Sequence, residues 1–153
     1  MIDAVEAWLL KTGGDIDLAV GAASMVQLLD KPTTYRIPAT PAYASTVLLW
    51  ENQVVSILDP RAWLFDSPLQ DASYVALLAY QTAPMEPLKY GAMRLSEVPE
   101  SIQVDDSMKA IPEVQLSDAV EAVCDSAFTA FGRSILIPNL ESIFDQKKAV
   151  TEY

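Results

Sequence analysis

Apolar and polar positions follow one another in short blocks along this chain. Residues 4–10 (AVEAWLL) and 15–20 (DIDLAV) are two such blocks, parted by Lys11-Thr12-Gly13-Gly14. A Gly-Gly between strand-like runs predicts a hairpin. Asp15 and Asp17 alternate with Ile16 and Leu18 as in a half-buried strand. Over 20–29 (VGAASMVQLL), Ala22, Met25, Val26 and Leu29 have helical spacing, so a helix ended by Asp30-Lys31-Pro32 is expected. Residues 36–43 (RIPATPAY) hold two prolines three apart, which predicts an extended, non-helical connector.

The best hydrophobic material lies in VLLWENQVVSILDPRAWL, residues 47–64. Two apolar runs, Val47–Trp50 and Val54–Leu58, flank Glu51-Asn52-Gln53, which predicts strand, tight turn, strand. Asn52 tolerates positive φ better than any residue but glycine and belongs at the corner. Pro60 suits the first turn of a helix with Asp59 as its cap, a helix that runs from Arg61 to Phe65 and stops before Pro68.

Residues 73–80 and 88–95 read as two further strands around a proline-bearing loop. Residues 97–107 are acidic and polar, a surface loop or a weak strand. Residues 116–131 are open between helix, by the spacing of 116, 119, 120, 123 and 127, and hairpin, by the break at Gly132-Arg133. Residues 134–138 read as a buried strand and 140–145 as a closing helix, with a frayed tail from 146. No internal repeat is strong enough to quote. Many short strands and few long helices predict a mainly β fold of two small barrels packed together.

Composition narrows the function. The 153 residues are about one domain, and residues 1–153 read as one unit. A net charge of −11 repels polyanions, so nucleic acid and anionic lipid are poor partners. An acidic field suits a basic or mixed protein partner. There is no histidine, which removes every Ser-His-Asp, Cys-His and His-containing zinc site. One cysteine, Cys124, allows no intramolecular disulfide and suits a reducing compartment. Asp3 and Glu6 stand where a signal peptide needs positive charge, and no apolar run approaches the ~20 residues of a membrane helix. The expectation is a cytoplasmic protein without membrane insertion.

Candidate chemistry is sparse. Asp105-Asp106 would point to opposite faces of a strand; Asp15 and Asp17 could share one, yet both pairs read as solvated turns or strand edges rather than a catalytic dyad. Cys124, among Val123, Ala127 and Phe128, reads as a small buried hydrophobe. Trp8, Trp50 and Trp63 read mostly as packing residues, with Trp50 the most exposed. No phosphate loop, GxGxxG or GxSxG is present, and Ser107-Met108-Lys109 lacks the SxxK spacing. Catalytic, metal and cofactor residues are therefore expected to be absent, leaving the profile of an interaction module.

The central block RIPATPAYASTVLLWENQVVSILDPRAWL resembles that of CheW-like domains, the coupling proteins of bacterial chemosensory arrays. Their pattern runs I-P-x-x-P-x-x-x-x-G-V-x-x-L-R-G-x-x-V-P-V-x-D-L-R. Ile37, Pro38, Thr40, Pro41, Val47, Gln53, Val54, Val55, Ile57, Leu58, Asp59 and Arg61 fall on compatible positions. Gly91-Ala92-Met93 is similar to the strand opening the family's second half, and SILIPNLESIF (134–144) to its closing segment. The departures are Thr46 for the family's glycine, Glu51-Asn52 for its Arg-Gly corner, and Met93-Arg94 for the usual Val-Asp.

This resemblance implies two packed five-stranded SH3-like β-barrels with short helices, no catalysis and no cofactor. It implies coupling between the cytoplasmic tip of a methyl-accepting chemoreceptor and the regulatory domain of a CheA-type histidine kinase. The receptor-facing positions fall on Met25 and Gln27. The hairpin positions Val47, Glu51, Asn52 and Val54 face the groove or the kinase, although Met25 by spacing alone is equally a core residue. Glu51 reverses the charge of the family's corner, which fits a divergent or accessory member such as those of type IV pilus chemosensory systems. The alternative is a small-molecule-binding barrel, or a sensor that has lost its array contacts.

Overall fold

The computed structural model describes residues 5–66, 74–105 and 117–145. Eleven strands among them form two sheets. β1 (Val5–Leu10) and β2 (Ile16–Gly21) make the expected hairpin, and they join β9 (Glu100–Val104), β10 (Cys124–Ala130) and β11 (Arg133–Pro138) in a five-stranded sheet of order β10-β11-β2-β1-β9. β3 (Met25–Asp30), β4 (Tyr35–Arg36), β5 (Thr46–Trp50), β6 (Gln53–Leu58), β7 (Tyr74–Tyr80) and β8 (Lys89–Leu95) form a six-stranded sheet of order β3-β7-β8-β6-β5-β4. The mainly β expectation holds; the second sheet carries a sixth strand, the two-residue β4.

The two sheets share a core. Leu10, Leu18, Val20 and Leu136 from the first meet Leu58, Leu78, Met93 and Leu95 from the second. Because strand side chains alternate, the intervening residues turn away into two separate cores. Leu9, Ala19, Phe128 and Ile135 fill one; Leu48, Val55, Ile57, Val75, Leu77 and Ala92 fill the other. This explains why β7 reads as a continuous apolar run: both its faces are buried. It also corrects the half-buried reading of β2, since Ile16 to Val20 are all buried. Each fully buried aliphatic side chain contributes about 1.5–3 kcal/mol.

The sheets repeat one plan that the sequence hides. In each, a hairpin (β5–β6 or β10–β11) lies parallel to the second strand of another hairpin (β7–β8 or β1–β2), and a single strand (β3 or β9) closes the far side. Ile57 pairs with Ala92 in one parallel junction, and Ile135 pairs with Asp17 in the other. A short helix follows each junction: α1 (Pro60–Phe65) after β6 and α3 (Leu140–Phe144) after β11. Asp59 caps the first through Arg61 and Ala62 amides at 3.1 and 3.2 Å, and Asn139 caps the second through the Ser142 amide at 3.0 Å.

Two expectations need correction or completion. Residues 20–29 form no regular helix: a 3-10 turn, Ala22–Ser24, leads into β3, which pairs antiparallel with β7. A register shift between Met25 and Gln27 displaces the period of two: Met25 and Leu28, three apart, both pack on the shared core, while Leu29 turns to the separate core of its own sheet. From Ser117 on, the 116–131 segment is both alternatives in turn, with α2 (Asp118–Glu121) followed by β10 and a hairpin at Phe131-Gly132; residue 116 lies outside the described residues. The connector after β4 contains one 3-10 turn, Ala42–Ala44, and the described part of 97–107 supplies β9, with 106 and 107 outside the described residues. The expected tail from 146 lies outside the described residues.

Candidate protein-docking site

The β5–β6 hairpin is built by strict alternation. Leu48, Val55 and Ile57 point into the core of their sheet. Their neighbours Val47, Leu49, Val54 and Ser56 therefore share the other face, with Leu49 opposite Val54 and Val47 opposite both Ser56 and Tyr35. That face is apolar and open: Leu49 is 60% exposed, Val54 68% and Tyr35 51%, while Val47 is half-buried. Single exposed aliphatics need no explanation, but a paired set on one hairpin makes this face the candidate contact surface.

At the hairpin's end, Glu51 and Asn52 take φ of 47° and 64°. Two successive residues in the left-handed region make the tight turn whose twist matches the strands. Asn52 is at the corner, as its chemistry predicts; Glu51 precedes it and is exposed. Trp50 turns back from the corner and tilts against Tyr90, ring centroids 4.8 Å apart. Trp8, Trp50 and Trp63 are all half-buried against core clusters, so Trp50 does not stand out.

Met25 and Gln27 lie elsewhere. They are on β3, separated from β6 in the sheet order by β7 and β8. Met25 is half-buried and packs against the shared core, whereas Gln27 and the bulged Val26 are exposed. The structure thus brings Val47, Glu51, Asn52 and Val54 together on one hairpin and leaves Met25 and Gln27 as a second place. Leu49 and Tyr35 are the residues missed by the sequence reading. The period of two already put Leu49 beside Val47; the β4 pairing that adds Tyr35 is not local.

Other candidates resolve differently. Asp17 is not a solvated carboxylate: its side chain is fully buried at the parallel junction of β2 and β11. Arg133 grips it with Nε at 2.6 Å and Nη2 at 3.1 Å, and the same Nη2 donates to the Gly14 carbonyl. Lys11 Nζ stands 3.8 Å away. The hydrogen bond to Asp17 raises the Arg133 pKa, with burial opposing. Asp15 is exposed, Asp105 is half-buried, and Asp106 lies outside the described residues. Cys124 is half-buried; burial, then the charges of Asp125 and Glu121, push its thiol up to about 11, the opposite of a nucleophile's environment. Among the described residues no group of three or more acidic or cysteine side chains could hold a metal ion.

An apolar groove of about 450 Å³ runs between the connector and α3, with Ile37, Tyr43, Trp63 and Ile143 in its walls. Among the described residues no helix is long and apolar enough to cross a membrane.

No curated protein matches the chain by sequence. Among solved structures it is similar to the scaffolding protein TtCheW from Thermoanaerobacter tengcongensis, with a TM-score of 0.69 and 11% identity. That alignment covers 90% of this chain and 86% of the other. At so low an identity the likeness shows the fold alone. The family model of the CheW-like domain matches residues 7–148. An apolar two-sheet frame, a capped helix after each parallel junction and a sequence match across nearly the whole length converge: the chain belongs to the CheW-like domain family.

Proposed function

We propose that this chain is a non-enzymatic scaffold of a bacterial chemosensory array, working as one CheW-like domain in the cytoplasm. It couples the cytoplasmic tip of a methyl-accepting chemoreceptor to the regulatory domain of a CheA-type histidine kinase. The observation that carries this reading is the outward face of the β5–β6 hairpin, where Leu49 and Val54 lie open next to the half-buried Val47 and beside the Glu51-Asn52 corner. Apolar burial there supplies affinity; the corner chooses the partner. A wrong-sign charge at a docking rim costs up to several kcal/mol, so Glu51 selects a partner unlike that of an Arg-Gly corner. This supports an accessory member, with a type IV pilus system as its setting. Met25 and Gln27 on β3 are the receptor-facing positions, a place distinct from the hairpin, as a two-partner adaptor requires.

Pull-down at micromolar concentration against a CheA-type regulatory domain and a chemoreceptor tip fragment tests the reading. Retention of at least one is expected; retention of neither overturns it. Glu51→Arg should strengthen binding to a standard kinase domain, and an unchanged affinity removes Glu51 from the interface.

A further inference from the structure

The Glu51-Asn52 corner ends a hairpin that the backbone of its sheet holds only at the base. β4 pairs with β5 at Thr46 and Val47, and β8 pairs with β6 at Ile57 and Leu58. Nearer the corner, Leu48 to Trp50 and Gln53 to Val55 pair only with each other among the described residues. A two-stranded ribbon by itself twists strongly and is only marginally stable. Side chains must therefore fix where the corner points. Leu48 and Val55, 2% and 1% exposed, do so for the middle of the ribbon. Strand alternation turns Trp50 to the same inward face as Leu48, which makes it the inward side chain nearest the corner. Its ring meets that of Tyr90 on β8, with centroids 4.8 Å apart and planes tilted by 54°. Both rings are half-buried and pack on the core of the sheet.

We propose that Tyr90 is a positioning residue for the docking corner: by holding Trp50 it fixes the angle at which the hairpin presents Glu51 and Asn52. Trp50 is joined directly to Glu51 in the chain, so a shift of its ring moves the corner. Continued toward the corner, the β6–β8 register brings Val55 level with Tyr90. The ring contact thus ties the ribbon to β8 at a level where the backbone pairing has already ended. Tilted aromatic pairs hold a preferred geometry that aliphatic packing does not impose. A corner held in one pose has less freedom to lose when a partner binds. Tyr90 acts on affinity through Trp50, without touching the partner. The inference rests on the scaffold reading for the place where the partner docks.

Tyr90→Leu removes the ring and keeps apolar bulk; Tyr90→Phe keeps the ring. Two measurements on the full chain test the proposal, both well below the melting temperature: amide hydrogen exchange, and titration with a purified CheA-type regulatory domain. In Tyr90→Leu the Leu48–Val55 ribbon should exchange about tenfold faster, and the regulatory domain should bind about fivefold more weakly. Tyr90→Phe should match wild type in both. Trp50→Leu should reproduce both effects, and the double change should weaken binding no further than either single one. Additive losses would put Tyr90 in contact with the partner itself and overturn the proposal. A Tyr90→Leu variant that melts lower yet exchanges and binds as wild type has lost a purely structural ring, which overturns it too. Faster exchange with wild-type affinity also overturns it and leaves the scaffold reading standing. If the wild type does not bind the regulatory domain, the kinase arm of the scaffold reading falls and exchange alone decides: a faster ribbon in Tyr90→Leu upholds the hold on Trp50, and an unchanged one refutes it.

Discussion

The ring of Phe144 occupies the space into which a Cβ on Gly91 would project. The nearest ring carbons lie well inside 3.0 Å of that point. Phe65 stands over Gly14 in the same relation. The helix that follows the β6–β8 junction sets its last ring on a glycine beside the other sheet, and the helix that follows β11 returns the contact on β8. Two reciprocal Phe–Gly clasps thus tie the sheets together at the flanks of the shared core, and Tyr80 stacks on Phe144 at 6.1 Å.

Gly91→Ala should destabilise the fold by about 1–3 kcal/mol, since the ring must leave its place in a packed core. Chemical denaturation measures it. A second change, Phe144→Leu, should recover part of the loss in the Gly91→Ala background; additive losses would show that ring and glycine do not share a space.

Breaking the Arg133–Asp17 pair should cost about 3–5 kcal/mol, because Arg133→Met leaves a fully buried carboxylate with only Lys11 nearby. The one-third exposure of Arg133 argues for the lower end. Thermal melts of Arg133→Met and of the double change with Asp17→Leu separate the effects. The double variant should be the more stable of the two.

Leu49→Ser with Val54→Ser should leave stability within about 0.5 kcal/mol, as for surface positions generally, and abolish retention of the kinase domain in the pull-down. Loss of stability instead would place these side chains in the hydrophobic support of the hairpin.

Cys124 should alkylate slowly. A thiol pushed up to about 11 ionises about a hundredfold less at pH 8 than one near its ordinary value. Iodoacetamide labelling of the native protein against the urea-unfolded chain checks this. The unfolded chain loses this proton first, so stability is full below the unfolded pKa and falls as pH climbs from there to about 11.

Much of the site was legible locally. Asn52 at the corner, Asp59 as a cap with Pro60 behind it, and the hairpin over Gly13-Gly14 all follow from residues within a few positions of one another. The errors came where a distant strand decided. Met25 to Leu29 look helical because a bulge opposite β7 breaks their alternation, and β7 is more than forty residues away. Asp17 looked solvated because Arg133, which buries it, lies 116 positions further on.

The sequence alone determined the blocks: which runs are apolar, where they turn, which chemistries histidine's absence forbids, and that an adaptor's pattern runs through the centre. Those depend on short-range sterics and composition, and both are written in order along the chain. Tertiary structure decided which strands meet, which faces are left over for partners, and that two unlike stretches build the same plan twice. Pairing across long separations is set by the joint burial of both faces, a property of the whole set of strands that no single stretch contains.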